Sequence, residues 1–383
     1  MFRVTLESAP GVRLQATPGS PSPSNHHPDI ELRHGSPRHA APFPVSTGRW
    51  SLAIVSFAGA IGVSLYIVFT SWPHSHQPVS VSVSTHGILL AVALLELGAR
   101  GAKLTFSAAS LRIPMTFGSA LRASAGGDFG AAITPARTGA EPARYLILTE
   151  AGMPSANIIL VIFAELFLEM VSLALIALAM FFAFRGSGDM ILGMVGLVAM
   201  YATFVLGIGA LGFILARRNT NGPPPAWLQR IGMNAGRWRT VRRSLRQLRA
   251  GIEGMKHMRP GYALLALLSS IVHVALRLAI LPIIVYSFGE RAELAPLILW
   301  PIALTYGSVV MPAPAGGGFI EVAFKETLGH AIPARILGAS LIWWRFYTFY
   351  LYIILGALAA GGTVLRALRE NGEEKIEAAA AAG

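Results

Sequence analysis

The sequence contains no cysteine and few charged side chains. None of its 383 residues is Cys, and only 13% are Asp, Glu, Lys or Arg. Without thiols the chain has no disulfides, no thiolate metal site and no cysteine nucleophile. The scarcity of charge, together with 54% hydrophobic residues and a mean hydropathy of +0.56, excludes a soluble globular domain. This composition predicts an all-α, polytopic membrane protein.

Acidic residues are scarce relative to basic ones, with 19 Asp and Glu against 31 Lys and Arg. The basic excess concentrates in residues 217–260, which hold eleven Lys and Arg and the single acid Glu253. The positive-inside rule predicts that this loop is cytoplasmic. Apolar residues recur at helical spacing within it, which predicts an amphipathic helix in 227–252 lying on an anionic lipid surface. Nucleic-acid binding is the less favoured alternative. The apolar stripe is Trp238, Val241, Leu245, Leu248 and Ile252.

Long apolar runs predict six transmembrane helices, each long enough to cross a bilayer. They are 50–70, 87–106, 154–184, 190–216, 262–288 and 334–361. Residues 1–49, rich in Pro, Ser, Gly and His, are predicted to be a disordered cytoplasmic tail, and 363–383 a second cytoplasmic tail. An even number of crossings puts both termini on the same side of the membrane. Because the loop 217–260 is predicted to be cytoplasmic, that side is the cytoplasm, and the predicted location is the inner membrane.

Two further segments, 113–150 and 294–330, are too interrupted for a span and too apolar for a free loop. Each combines apolar arms with a break rich in Pro and Gly. A broken backbone exposes N–H and C=O groups that hydrocarbon cannot satisfy, so such a break occurs only where protein or water surrounds it. We therefore predict two re-entrant helix–break–helix hairpins, one in each membrane half, 50–216 and 261–362.

The two halves have similar landmarks in the same order: an arginine-bearing span, a Pro/Gly break with a glutamate, and a second charged span. Glu141 to Glu165 and Glu321 to Arg345 are both 24 residues (165 − 141 and 345 − 321). This agreement predicts a duplicated unit. With six spans the two hairpins enter from opposite sides, so the predicted repeat is inverted, an arrangement that transporters use to form a site near the midplane.

The buried charges and the break residues are the candidate substrate-binding residues. Charges inside a membrane are costly, so a functional role is their default interpretation. The arginine fork binds phosphate oxygens, and glycine-rich breaks offer free N–H groups to an anion. The candidates are Arg100, Pro135, Arg137, Gly139, Glu141, Glu165, Glu169, Arg277, Pro314, Gly316, Gly317, Gly318, Glu321 and Arg345. No catalytic residue, metal ligand or cofactor is predicted.

Two details of these charges stay open. Glu165 and Glu169 share one helix face and cannot both ionise cheaply unless a cation lies close. Arg100 either pairs with Glu96, four residues earlier, or extends to the cytoplasmic interface, where we place Lys103.

The breaks and the charged spans together form one set of motifs: Thr134-Pro-Ala-Arg-Thr-Gly-Ala-Glu141, Glu165 with Glu169, Pro312-x-Pro-x-Gly-Gly-Gly-x-x-Glu321, and Arg345. This set resembles the transmembrane domain of lysylphosphatidylglycerol synthases, which also occurs alone in flippase-like membrane proteins. The resemblance covers roughly 50–362. The chain departs from the family at Leu166, where an Arg is common, and at Lys103-Leu104, where Arg-Trp is frequent.

This resemblance implies a flippase, or other handling of a lipid with a polar head: an aminoacylated or other phospholipid, a polyprenyl-linked sugar, or a hopanoid. The chain ends at Gly383, soon after the last predicted span, so aminoacylation by this chain alone is not expected. Three alternatives remain. The chain can be a membrane enzyme using two glutamates as acid and base. It can be a partner subunit of a separately encoded enzyme, or a homo-oligomer. Finally, Glu165–Arg345 and Glu321 can be structural pairs that lock the repeats together.

Overall fold

The computed structural model describes four stretches of the chain and isolated positions outside them. The stretches are 80–134, 137–184, 258–307 and 318–360. All of them belong to the compact unit Pro44–Gly383, and the other unit, Met1–Phe43, lies outside the described residues. The predicted spans 50–70 and 190–216, the basic loop 217–260 and the C-terminal tail also lie largely outside them.

The four described stretches fold into eight helices and contain no strand. The helices are α1 (Val83–Ser110), α2 (Phe117–Ala132), α3 (Ala140–Glu150), α4 (Ser155–Ala183), α5 (Pro260–Ser287), α6 (Leu294–Gly307), α7 (Phe319–Leu328) and α8. Helix α8 begins as Ala334–Arg345, passes through a π-helical turn at Phe346–Tyr350 and continues to Ala360. The predicted all-α class is confirmed for this part of the chain.

Three described helices are long and apolar enough to cross a membrane: α4, α5 and Ala334–Ala360. Helix α1 is as long as α5, at 28 residues or about 42 Å, but carries Glu96, Arg100 and Lys103. The prediction of a polytopic helical membrane protein is therefore confirmed.

Local sequence explains where several helices begin. Ser82 caps α1 by accepting a hydrogen bond from the backbone N–H of Thr85 at 3.2 Å, and Thr116 does the same for α2 from Ser119. Such caps satisfy backbone donors that have no partner within the helix. Helix α5 starts at Pro260, whose fixed φ suits the first helical position.

Helices α1 and α5 form an antiparallel pair that defines the two ends of the bundle. The N–H of Arg259 donates to the carbonyl oxygen of Ser110 at 3.0 Å, so the end of α1 meets the start of α5. We call this side the Ser110 end and the opposite side the Ser287 end. Helix α8 runs in the same direction as α1, because Arg335 near its start pairs with Glu290 at the Ser287 end.

The first predicted hairpin is helix α2, a break, and helix α3. A Cβ on Gly126 would approach Ile147, and one on Gly130 would lie 2.4 Å from the carbonyl oxygen of Gly139, so the two helices run antiparallel and in close contact. Only residues without side chains allow backbones this near. Arg122 and Glu150 pair at 3.3 Å, which places both outer ends of the hairpin at the Ser110 end.

The second predicted hairpin has α6 and α7 as its arms, and its break at 308–317 lies outside the described residues. Helix α6 starts just after α5 ends, and α7 ends just before α8 starts. The Arg335–Glu290 pair brings these two connections together. Both outer ends of this hairpin therefore lie at the Ser287 end, opposite to those of the first.

The apolar core is divided among three groups of buried side chains. The largest joins α1, α5, α6, α7 and α8 through residues such as Leu89, Ile284, Phe324 and Trp344. A second lies between α1, the first hairpin and α4, and a third between α4, α5 and α6. The first of these groups includes residues of α7 and α8, the helices in which Glu321 and Arg345 are also buried.

Candidate functional site

Several charged side chains are buried between the helices rather than at the ends of the bundle. An ion taken out of water is strongly destabilising unless another charge and hydrogen bonds compensate it. Each buried charge therefore requires a partner or a function. The buried ionisable residues in the described part are Glu96, Arg100, Lys103, Asp128, Arg144, Glu165, His273, Glu321 and Arg345.

The first group, which we call the arginine cluster, lies between α1, α2, α5 and α8. At its centre Arg100 makes a two-pronged contact with Asp128: one nitrogen donates to Oδ2 and the other to Oδ1 at 3.0 Å. The second nitrogen also points at the carbonyl oxygen of Ser124, 3.4 Å away. The members of the cluster are Glu96, Arg100, Asp128, Arg137 and Arg277.

Arg277 joins this cluster from α5. Its Nε lies 3.4 Å from an oxygen of Glu96 and makes no hydrogen bond, while its NH2 donates to the carbonyl oxygen of Thr348 at 3.2 Å. The Tyr352 ring lies beside both central guanidinium groups. The centre of the ring is 5.3 Å from Cζ of Arg277 and 5.8 Å from Cζ of Arg100. Such cation–π contacts partly replace the lost water.

Arg137 lies at the break of the first hairpin. Its backbone φ of +57° is in the left-handed region that non-glycine residues rarely adopt. One of its terminal nitrogens is 3.9 Å from Asp128, so the break residue approaches the cluster centre. Such backbone conformations cost about 1–3 kcal/mol and are common at functional sites.

The second group, which we call the lysine cluster, lies between α1, α3 and α4. The Nζ of Lys103 is 2.8 Å from an oxygen of Glu165 and 2.8 Å from an oxygen of Glu169. Arg144 binds Glu165 with two hydrogen bonds, at 2.8 and 3.0 Å, and lies 3.5 Å from Glu141. Its stem crosses Gly127, where a Cβ would lie 3.0 Å from Cγ of Arg144.

This arrangement corrects the prediction for Lys103 and resolves the one for the two glutamates. Lys103 does not extend to the interface: it is almost fully buried, with both carboxylates as partners. Glu165 and Glu169 can both be ionised because the cation that this requires, Lys103, lies between them.

The third feature is a single pair, Glu321–Arg345, between α7 and α8. One oxygen of Glu321 accepts from Nε of Arg345 at 2.9 Å, and the other accepts from the N–H of Gly318 at 2.8 Å. Gly318 has φ +80°, so glycine is required at this turn into α7. The Arg345 guanidinium also lies 4.3 Å from the centre of the Phe349 ring.

The suggestion that Glu165 pairs with Arg345 and so joins the two repeats is wrong. Glu165 pairs with Arg144 and Lys103, and Arg345 pairs with Glu321, so these contacts stay within one half of the chain. Among the residues that the structure describes, Glu96–Arg277 is the ion pair that joins the two halves.

Two break glycines were expected to offer free N–H groups to an anion, and the structure corrects this. The N–H of Gly318 donates to Glu321, and that of Gly139 donates to Oγ1 of Thr134 at 2.7 Å. The N–H groups of Gly318 and Gly139 are therefore not free to bind an anion.

The formal charges of the two clusters complement each other. The arginine cluster has three cations and two carboxylates, and the lysine cluster has two cations and three carboxylates. At an effective dielectric constant of about 20, two unit charges 4 Å apart interact by about 4 kcal/mol, so such pairs hold helices together. The excess positive charge therefore belongs to the arginine cluster, which includes Arg137 and Arg277.

The structure brings most candidate residues into these three groups. Pro135, Pro314, Gly316 and Gly317 lie outside the described residues. The residues that the candidate set omitted are Glu96, Lys103, Asp128, Arg144 and Tyr352. For Arg144 the sequence does contain a signal, because it follows Glu141 by three residues and so shares its helix face. The substrate-binding role of all candidates stays a prediction.

Comparison with known proteins identifies the membrane part. The family model described as lysylphosphatidylglycerol synthase TM region matches residues 52–356. A search of the curated proteins gave no match.

Proposed function

Because the chain belongs to the family of lysylphosphatidylglycerol synthase transmembrane regions, we propose that it moves a lipid with a polar head between the leaflets. The family match indicates a membrane protein related to lipid handling. Translocation, and an anionic or aminoacylated head as its cargo, are our extension of that match.

The observation that supports translocation is that the outer ends of the two hairpins lie at opposite ends of the bundle. The ends of α2–α3 lie at the Ser110 end, and those of α6–α7 at the Ser287 end. Helix α4 then starts where the first hairpin ends, and α8 starts where the second ends. This order fits two units of inverted direction, each a helix, a re-entrant hairpin and a helix. Transporters with such units bind substrate between them.

In this proposal the head of the lipid binds beside the arginines near Arg137 and Gly318. Arg137 supplies charge from the first hairpin, and Arg345 binds Glu321, whose other oxygen accepts from the N–H of Gly318. Arg277 contacts Thr348, about one helical turn from Arg345 along α8. Planar guanidinium groups bind phosphate oxygens in pairs, which favours a phosphate-bearing head. The carboxylates neutralise the same arginines when no lipid is bound.

Replacing Arg345 by alanine tests this function. We expect Arg345→Ala to slow translocation of headgroup-labelled phospholipid in liposomes at least about tenfold, the effect of losing about 1.4 kcal/mol from the rate-limiting step. Glu321→Ala should do the same, because it leaves Arg345 without its partner. The assay is the fraction of label protected from dithionite over time.

Arg335→Ala is the matched control for this test. Arg335 lies on the same helix but is largely exposed, so its loss should leave the rate unchanged. Size-exclusion chromatography must show that each variant is folded. Full translocation by folded Arg345→Ala and Glu321→Ala would leave only a structural role for the pair.

Single-cysteine labelling tests the inverted arrangement. The natural chain has no cysteine, so a cysteine introduced at Ser287 or Pro333 reports without background. We expect both to react with an impermeant maleimide from outside the cell, and a cysteine at Ser155 to react only from the cytoplasm. Labelling of Ser287 or Pro333 positions from the cytoplasm alone would refute the inverted repeat and the cytoplasmic location of both termini.

The alternatives of an enzyme and of a partner subunit are separated from a flippase by the lipids of a deletion strain. Loss of a lipid species favours an enzyme or its partner, whereas intact synthesis with altered leaflet distribution favours translocation. This proposal also includes contact of 227–252 with anionic lipid, self-association and the inner-membrane location. The same strain and fractionation can address these parts.

A further inference from the structure

Glu96 is the least compensated carboxylate in the described part of the arginine cluster. Its side chain is 0% exposed, and neither oxygen has a hydrogen-bond partner. Its nearest cations are Arg277, at 3.4 Å, and Arg100, at 4.0 Å. A buried carboxylate normally accepts several short, well-directed hydrogen bonds, so the long contacts of this one call for an explanation.

Most hydrogen bonds from the donors around Glu96 go to other acceptors. Arg100 gives its hydrogen bonds to Asp128. The Tyr352 hydroxyl, which also faces Glu96, donates to the carbonyl oxygen of Ala93 at 3.1 Å. Arg277 donates to the backbone of α8, and its Nε has no partner. The Glu96–Arg277 contact is therefore an ion pair that a stronger acceptor can replace.

The position of this pair gives its replacement a consequence. Glu96 lies on α1 in the first half and Arg277 on α5 in the second, so the pair connects the two halves. A phosphate that binds Arg277 competes with the Glu96 carboxylate for the same guanidinium. Two negative charges on one buried cation repel, and a proton on Glu96 removes this repulsion. Proton binding and anion binding then favour each other to the same extent, as linkage requires.

Asp128 is paired with Arg100, and His273 is a further buried ionisable group near this pair, one turn before Arg277 on α5. Its Nδ1 has no hydrogen-bond partner, and the charged groups near it are Lys103 and Arg100 on α1, Arg277 on α5 and Glu165 on α4. A proton on His273 would add a cation beside three others. Glu96 is the group whose protonation directly releases Arg277.

We propose that Glu96 is a proton-binding site and that one proton is carried with each anionic lipid head, an inference that rests on the proposed translocation. The proton from water on one side bonds to a carboxylate oxygen of Glu96. Phosphate replaces the carboxylate as the counter-ion of Arg277, so the charge of the loaded cluster is unchanged. On the other side the head leaves, the proton returns to water, and the Glu96–Arg277 pair re-forms.

The test uses the full-length protein in phosphatidylcholine vesicles with a trace of acyl-labelled phosphatidylglycerol. With wild-type protein and an imposed gradient of one pH unit, the label should accumulate in the leaflet facing the higher pH. One coupled proton allows an asymmetry of up to about tenfold. Glu96→Gln, which mimics the neutral carboxyl, should still translocate the label but equalise the leaflets. Glu293→Gln, an exposed carboxylate change, and His273→Gln should keep the asymmetry.

The outcomes separate this inference from the proposed function. No translocation by wild-type protein would refute the function itself. Translocation without a response to the gradient, or a response that persists in Glu96→Gln, would refute the proton site alone. If Glu96→Gln fails to fold, trapped pyranine in wild-type vesicles decides: proton entry must increase when phosphatidylglycerol is present, and equal entry without it overturns the proposal.

Discussion

Replacing Glu165 by alanine is expected to lower the free energy of unfolding by about 3–5 kcal/mol, because buried charges that lose their partner are not compensated. Lys103 and Arg144 both bind this carboxylate, at 2.8 Å each, and both are buried. The measurement is SDS-induced unfolding of the detergent-solubilised protein followed by circular dichroism.

Two comparisons make this result specific to the lysine cluster. Glu293→Ala, at an exposed position, should change stability by no more than about 0.5 kcal/mol. Removing Arg144 together with Glu165, as Arg144→Met with Glu165→Leu, leaves the Lys103–Glu169 pair intact and should recover much of the loss. Equal stability of Glu165→Ala and Glu293→Ala would show that the cluster does not stabilise the fold.

A second large loss is expected from Gly356→Ala on α8. A Cβ there would lie 2.2 Å from the carbonyl oxygen of Ala125 and 2.9 Å from Cβ of Phe129. The first of these atoms is backbone, so α8 or α2 has to move, and overpacking of this kind costs about 1–3 kcal/mol. The same SDS titration measures it.

Gly98→Ala on α1 is the control with the opposite sign. No atom lies within 4 Å of a Cβ placed there, so the change only improves helix propensity and should stabilise by about 0.5–1 kcal/mol. If both variants are stabilised, the close approach of α2 and α8 does not limit the packing of the bundle.

Much of the fold was predictable because membrane helices have a strong apolar signal. The helical class and the helix–break–helix form of 113–150 followed from it. The 24-residue spacing also has a physical counterpart in both halves. Glu321 contacts Arg345 directly, whereas Arg144 bridges Glu141 and Glu165.

The predictions that were wrong or incomplete concern the positions and partners of individual charged residues, and Lys103 shows the reason. The predicted span ended at residue 106, which placed this lysine at the interface. Helix α1 continues to Ser110, so Lys103 lies two turns inside its end. For Arg100, the pairing with Glu96 that the spacing predicted is present at 4.0 Å, but the stronger partner Asp128 was missed. Asp128 approaches Arg100 only because the hairpin folds back along α1, and no local spacing encodes that contact.

The π-helical turn at Phe346–Tyr350 gives α8 one residue more than a continuous α-helix of the same length would have. At about 100° per residue, this surplus rotates the part of α8 after the turn relative to the part before it. Arg345 can then face α7 while Tyr352 and Gly356 face α1 and α2. A single inserted residue thus lets one helix serve two differently oriented surfaces.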